Sequence, residues 1–375
     1  MVTQVAYNQN QVIEIAKAML EAKPVHITDE FPLLTSGGRN DYYSNGDYWW
    51  PNPGTEDGLP YICLDGQTNP ENFAAHRNAL RRMRFAVTHL AAAYRMTGDS
   101  CYADYAIRWL REFFLDEETR MLPHLRYAQA IPGVSAGRGI GIIDTLHLID
   151  LPMAMTILRE RMDERVWEGL QQWFRDYLNW MNTHPNGIEE REWHNNHSVT
   201  WFAQAASFAG FTGDQEMLSF CRERYKKVLL PGQMAEDGSF PHELSRTKPY
   251  NYSCFVLDNM TAICLFASMP EEDLWEFSLA DGRGLKKGLE FILPFLQDKS
   301  KWPYRPDQEH DEDWPVAMPF MLFAGLYFQD SEYLSLWESL EKYPGSEEVR
   351  RNISIRCPYL FLDGKDDNTY ELLRL

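Results

Sequence analysis

Apolar residues recur at three- and four-residue spacing over Phe73–Met96, Tyr102–Phe114, Ile142–Arg159, Glu164–Met181, Ser198–Phe211, Gln215–Leu229 and Ser253–Ala267. That is the period of helices with one buried face. Strand-like alternation is rare. It is clearest in Asn352–Leu362, where Ile353, Ile355, Cys357, Tyr359 and Phe361 share a parity and predict a short C-terminal strand.

A short motif recurs between helices. Tyr94-Arg-Met-Thr-Gly-Asp99, Phe211-Thr-Gly-Asp214 and Tyr327-Phe-Gln-Asp330 each precede a new helical stretch, at near-equal intervals. Glycine ending one helix and aspartate capping the next is the chemistry of a tight helical hairpin. Repeated hairpins close into an α/α toroid or extend into a solenoid, and the ~34-residue period of a tetratricopeptide solenoid is absent. The expected fold class is therefore all-α, an (α/α) toroid or barrel of helical hairpins with a minor C-terminal strand element, forming one domain over residues 1–375.

Two segments break the helical pattern, Gly37–Pro70 and Met121–Gly141, both rich in Gly, Pro, Asn and aromatic residues. The Pro-rich stretch 302–315 is a third. Packed helices need only short connections, so long irregular segments point to functional loops.

Charge narrows the partners. The 375 residues carry a formal net charge of −19 with no Lys/Arg-rich run, which argues against nucleic acid, whose phosphates need clustered cations. No uninterrupted apolar run reaches the ~18–20 residues of a membrane span, and no membrane partner is expected. The first residues lack a cationic segment followed by an apolar one. As written the chain reads as cytoplasmic, or as periplasmic or secreted if a leader has been removed. The six cysteines form no CxxC pair and read as reduced thiols rather than a disulfide framework or zinc site. With 12 Trp, 19 Tyr and 20 Phe, the aromatic content suits both a core and a groove that stacks on sugar rings.

Two constellations can carry chemistry. In Glu190-Arg-Glu-Trp-His-Asn-Asn-His197, an asparagine can simply cap the following helix. Glu190, His194 and His197, at i, i+4 and i+7, can alternatively share a helical face and hold a metal, although the HExxH order is missing. A third reading places amide and imidazole donors at a helix N-terminus to meet a carboxylate. In Glu243-Leu-Ser-Arg246-Thr-Lys-Pro-Tyr250-Asn-Tyr252, Arg246 can pair with Glu243 while the tyrosines staple the helix entry. Otherwise the cation favours a phenolate able to shuttle a proton.

Asp41-Tyr-Tyr-Ser-Asn-Gly-Asp-Tyr-Trp-Trp-Pro-Asn-Pro53, Asp57-Gly-Leu-Pro-Tyr-Ile62, Pro123-His-Leu-Arg-Tyr-Ala-Gln129, Gly137-Arg-Gly-Ile140, Asn195-Asn-His-Ser198 and Leu244-Ser-Arg-Thr-Lys-Pro-Tyr-Asn-Tyr252 occur in this order. Together they resemble the alginate lyase superfamily of helical-barrel polysaccharide lyases, and most of all polysaccharide lyase family thirty-eight, whose members act on alginate or β-1,4-glucuronan. The resemblance covers about residues 41 to 260. It implies β-elimination without cofactor or metal. Asn196, His197 and Arg246 would neutralise the uronate carboxylate, Tyr252 would shuttle the proton, and Glu190 would support His197 or the +1 sugar. Tyr43, Tyr48, Trp49, Trp50, His124, Gln129, Arg138 and Tyr250 would contact the saccharide. The spacer between arginine and tyrosine is shorter than in more distant alginate lyases, which leaves Tyr250 as a rival to Tyr252.

Removing H5 of a uronate loads charge onto C6, so neutralising the carboxylate lowers the main barrier. One tyrosine can take H5 and protonate O4 when both lie on the same ring face, as in mannuronate and glucuronate. The net charge opposes a polyanionic substrate, and Arg138, Arg246 and the Arg77–Arg84 cluster are the candidate compensating cations. Two other functions compete. A glycoside hydrolase would need a carboxylate pair, drawn from Asp47, Asp144, Glu190 and Glu243. A non-catalytic acidic-polysaccharide-binding protein would need only the aromatics. Oligomeric state is not legible.

Overall fold

Left-handed residues followed by aspartate caps set the helical hairpins. The computed structural model describes residues 9–366 and 369–372. Its Cα packing divides into two units, one within Asn8–Glu192 and the other within Trp193–Leu375.

The N-terminal unit holds helices α1 (Gln9–Glu21), α2 (Ala75–Thr97), α3 (Ser100–Phe114), α4 (Leu151–Leu158), α5 (Glu164–Thr183) and α6 (Pro185–Arg191). Gly98, at φ 70°, ends α2, and the Asp99 carboxylate accepts from Cys101 N to start α3. α2 packs against α1, α3 and α4. On α5 the buried stripe Leu170, Trp173, Phe174, Tyr177, Leu178 and Met181 follows the helical period.

The C-terminal unit holds α7 (Asn196–Thr212), α8 (Gln215–Arg224), α9 (Leu230–Gln233), α10 (Pro241–Leu244), α11 (Pro249–Ala267), α12 (Leu285–Gln297), α13 (Pro319–Phe328), α14 (Ser331–Ser339) and α15 (Glu347–Arg351). Gly213 (φ 75°) and Asp214 join α7 to α8, while Gln329 (φ 54°) and Asp330 join α13 to α14. A glutamine thus fills a left-handed position that glycine holds in the other two motifs. α7 and α11 pack together at the centre of this unit and are buried almost all round, unlike one-faced surface helices.

Three sequence expectations need correction. Ile142–Arg159 is not one helix: a 3₁₀ segment, Gly139–Leu148, precedes α4, where Pro152 sits in the first turn because it has no N–H to give an interior ladder. Gln215–Leu229 passes from α8 into a π-turn, Tyr225–Leu229, and then α9, because Pro231 offers no N–H to the preceding turn. Asn352–Leu362 is not a strand. Both parities are buried there, Ser354 N and Oγ donate to Asp258, and Pro358–Phe361 forms a 3₁₀ turn. The C-terminal strands lie just beyond, as an antiparallel hairpin of Leu362–Asp366 and Thr369–Leu372.

Short strand pairs order the irregular N-terminal segments. β1 (Tyr43–Asn45) runs parallel to Tyr127–Ala130, and β2 (Trp49–Trp50) pairs antiparallel with Ile62–Cys63. Gly137 is required for this: a Cβ there would lie 2.0 Å from Arg126 O. The apolar stretch Gly139–Arg161 is long enough to cross a membrane by length and composition, yet most of it is packed inside the unit. Cys221, Cys254, Cys264 and Cys357 are buried free thiols, whereas Cys63 and Cys101 are exposed ones.

Candidate active site

Two core helices of the C-terminal unit each leave one side chain accessible near their N-termini. All of α11 is buried except Tyr252, and in α7 the first twelve residues after Asn196 are buried, with His197 the exception. Asn195 caps α7, its Oδ1 accepting from His197 N at 3.1 Å. Asn196 is therefore released from capping. Its main-chain N–H and its Nδ2 both donate to the Glu243 carboxylate, at 2.8 and 2.7 Å. Glu243 is fully buried, and burial pushes its pKa up against the opposing pull of the Asn196 bonds and of Arg246 and His197.

The carboxylate thus serves Asn196 rather than pairing with Arg246. Arg246 bonds the main chain of the same residue, N to Glu243 O at 3.0 Å, and its guanidinium lies over the Tyr252 ring, Cζ 4.9 Å from the centroid. It makes no ion pair among the described residues. The loop before α7 is held by Gln233, whose Nε2 donates to His194 O at 3.0 Å. His194 and His242 are exposed with ring centroids 5.4 Å apart. Burial and the like charges of His242, Arg246 and His197 push the His194 pKa down.

Tyr250 and Tyr252 part company at the start of α11. Asp307, which sequence reasoning missed, caps that start by accepting from Tyr250 N at 2.9 Å and Asn251 N at 3.0 Å. Burial pushes the Asp307 pKa up to about 6. Tyr250, expected to contact saccharide, is instead fully buried, its hydroxyl donating to Phe295 O at 3.2 Å and its ring edge-on to Trp302. Two residues along a helix is a rotation of ~200°, so one tyrosine faces the core and the other does not.

The shared helical face required for a Glu190/His194/His197 metal site does not form. α6 ends at Arg191, His194 lies in the bend before α7, and His197 belongs to α7. Glu190 is buried in α6 of the N-terminal unit, where Tyr177 feels its charge.

The other expected saccharide contacts lie in the N-terminal unit. Tyr48, Trp49 and Trp50 are half-buried. Trp50 Nε1 donates to Gln67 O at 3.0 Å, and the Arg138 guanidinium lies 5.7 Å from the Trp49 ring centroid. Gly46 permits this approach, since a Cβ there would meet Trp49 Cδ1 at 2.5 Å and Arg138 Nη2 at 2.7 Å. Gln129, at φ 52°, is buried; its carbonyl accepts from Arg138 Nε at 2.8 Å and its N–H donates to Ser44 Oγ at 2.9 Å. Tyr43 is buried too, its hydroxyl accepting from Asn45 Nδ2 at 2.9 Å, so it supports the loop from beneath. His124 Nε2 meets Asp41 Oδ1 at 3.2 Å.

Two arginines of the Arg77–Arg84 cluster are drawn into internal ion pairs. Arg77 pairs with Asp47 at 2.5 Å and Asp144 at 3.5 Å, and buried Arg84 pairs with Asp150 at 2.8 Å. Arg81 Nε reaches His147 Nε2 at 3.1 Å. The guanidiniums of Arg77 and Arg84 are thus neutralised internally. The same contacts weigh against a hydrolase, because Asp144 also accepts from Tyr42 at 3.2 Å, Ser44 at 2.5 Å and Gln129 at 3.3 Å. A carboxylate saturated by protein donors is poorly placed as acid or nucleophile.

Comparison with known proteins agrees with this chemistry. The alginate lyase family model matches residues 28–302. The chain is similar to an alginate lyase of known structure from Bacteroides ovatus, with 32% identity, a TM-score of 0.81, and 94% of this chain and 92% of that one covered. Alginate lyase A1-III from Sphingomonas species A1 shares the fold at 16% identity and a TM-score of 0.58, over 87% of this chain and 89% of that one. A variant of that enzyme has been solved complexed with tetrasaccharide, and matches at 15% identity and a TM-score of 0.58 over 88% and 91% of the two chains. No curated protein matches the chain. Family match, helical-hairpin architecture and the site in the C-terminal unit converge: the chain belongs to the alginate lyase family and is a polysaccharide lyase of the α/α toroid class.

Proposed function

We propose that this lyase cleaves β-1,4-linked uronate polymers, polymannuronate alginate or glucuronan, by syn β-elimination without a metal, as a single lyase domain of polysaccharide lyase family thirty-eight. The observation that carries the reading is the pair of accessible groups at the starts of two buried helices, His197 and Tyr252, with Arg246 over the tyrosine ring at 4.9 Å. The alginate lyase name of the Bacteroides ovatus relative supports the uronate substrate class.

In this mechanism Asn196, His197 and Arg246 meet the C6 carboxylate and offset the charge that grows as H5 leaves. A guanidinium beside a phenol favours its ionised form, so Tyr252 can act as base. Tyr252 takes H5, the C4–O4 bond breaks as the C4–C5 double bond forms, and the same phenol returns a proton to O4. No oxidant, water or cofactor is consumed. Glu190 is assigned a supporting role. Tyr48, Trp49, Trp50, Arg138 and His124 are assigned to the saccharide, with Tyr43 and Gln129 shaping the loops that carry them.

The test is incubation with polymannuronate, polyguluronate and glucuronan, following the ultraviolet absorbance of the conjugated 4,5-unsaturated uronate. Product from polymannuronate or glucuronan, and little from polyguluronate, is expected. New reducing ends without that absorbance indicate hydrolysis and overturn the reading, and binding without cleavage reduces it to a saccharide-binding protein.

A further inference from the structure

We propose that Glu243 is a positioning residue whose carboxylate fixes the amide of Asn196 in the arrangement needed to hold the substrate carboxylate. The inference rests on the elimination reading above and extends it to a residue with no direct part in the chemistry.

The geometry is specific. An asparagine amide can turn over, presenting either oxygen or nitrogen to a neighbour, and only its N–H groups can receive a carboxylate. Glu243 removes that freedom. Its two oxygens accept from Asn196 N at 2.8 Å and from Asn196 Nδ2 at 2.7 Å, and an acceptor-only carboxylate cannot face the amide oxygen. One Nδ2 hydrogen is committed to Glu243, which leaves the second for substrate. The main-chain bond also satisfies one of the N–H groups that the first turn of α7 cannot pair within the helix.

The same residue anchors the second donor. Glu243 O accepts from Arg246 N at 3.0 Å, closing the turn that brings the guanidinium over Tyr252. The carboxylate of Glu243 thus holds the α7 start, while its main-chain carbonyl closes the turn before α11. Since both oxygens accept, the arrangement calls for the ionised carboxylate in spite of full burial.

The experiment is a double-mutant cycle on the full chain with Glu243→Gln, Asn196→Ala and the pair, measuring kcat and KM on the preferred polymer together with Tm. Glutamine offers one acceptor and one donor, so it lets the Asn196 amide turn over while keeping volume. A loss in kcat of ~10- to 100-fold for Glu243→Gln is expected, with KM little changed, in the range that misplacing a catalytic group produces. The decisive outcome is non-additivity: the pair should be no slower than Asn196→Ala alone. Losses that multiply, or a kcat for Glu243→Gln equal to wild type, overturn the proposal. If Glu243→Gln does not fold, Glu243→Asp, which keeps the charge one methylene short, enters the same cycle with the same criteria. Failure of the elimination reading is distinguishable, because wild type would then give no unsaturated product from any uronate polymer.

Discussion

The Arg246 guanidinium lies over the ring of Tyr252, Cζ 4.9 Å from its centroid, whereas Tyr250, two residues earlier, points its hydroxyl at Phe295 O inside the core. Tyr252→Phe should therefore lower kcat by at least ~10²-fold while leaving Tm close to wild type, as expected for loss of a general acid–base. Tyr250→Phe should do the reverse, costing about 1 kcal/mol of stability through a lost buried hydrogen bond with kcat nearly intact. Turnover by both variants at wild-type rates would remove tyrosine from the mechanism.

Trp49 stands beside Arg138 at 5.7 Å in the N-terminal unit, half-buried and with its ring face already near a cation. Trp49→Ala is expected to raise KM about 3- to 10-fold through lost stacking, with a smaller change in kcat. Steady-state kinetics on polymer of fixed length checks this, and unchanged constants in a folded variant would take the loop out of the saccharide site.

Buried Arg84 relies on Asp150, whose oxygens accept from Nε at 2.8 and 3.0 Å. Asp150→Asn keeps the shape but removes a carboxylate charge from beside the guanidinium. A loss of about 3–5 kcal/mol is expected, read as a fall in the chemical denaturation midpoint. A variant as stable as wild type would mean that the pair is not energetically coupled.

Asp307 caps the helix that carries Tyr252, and burial holds its pKa at about 6, above the ordinary carboxylate value. Because the folded value exceeds the unfolded one, its contribution is fully present below the unfolded pKa and is lost as pH rises through about 6. Thermal denaturation across that window should show wild type losing stability relative to Asp307→Asn as pH rises. A difference that stays flat with pH would show that Asp307 does not titrate there.

Elimination driven by amide, imidazole and guanidinium donors should survive prolonged chelation followed by desalting, with kcat within error of the untreated enzyme. Loss of activity restored by one specific divalent ion would instead place a metal at the substrate carboxylate.

Local information made much of the fold legible. The Gly98-Asp99 and Gly213-Asp214 pairs announce helix ends because a left-handed residue and a side-chain cap act within a few residues of their own position. Periodicity located α2, α3, α5, α7 and α11 for the same reason. It failed at Ile142–Arg159, where Pro152 broke the hydrogen-bond ladder inside an unbroken apolar pattern, at Gln215–Leu229, whose last turn is distorted by Pro231 just beyond it, and at Asn352–Leu362, where burial on both faces made the alternation uninformative.

The residue types of the site, Asn-Asn-His and Arg followed by two tyrosines, could be read from the chain, and so could the chemistry they suit. Only the tertiary structure decided which of them stay accessible and which are engaged by partners. Burial sent Tyr250 inward and left Tyr252 accessible; capping engaged Asn195 and freed Asn196; and the Glu243 carboxylate went to Asn196 across 47 positions of sequence. Arg77 and Arg84 of α2, equal to Arg246 as charges on paper, are neutralised by Asp47, Asp144 and Asp150. A side chain's charge and donors belong to its covalent structure, but whether they remain available depends on which distant partners folding brings within hydrogen-bond reach.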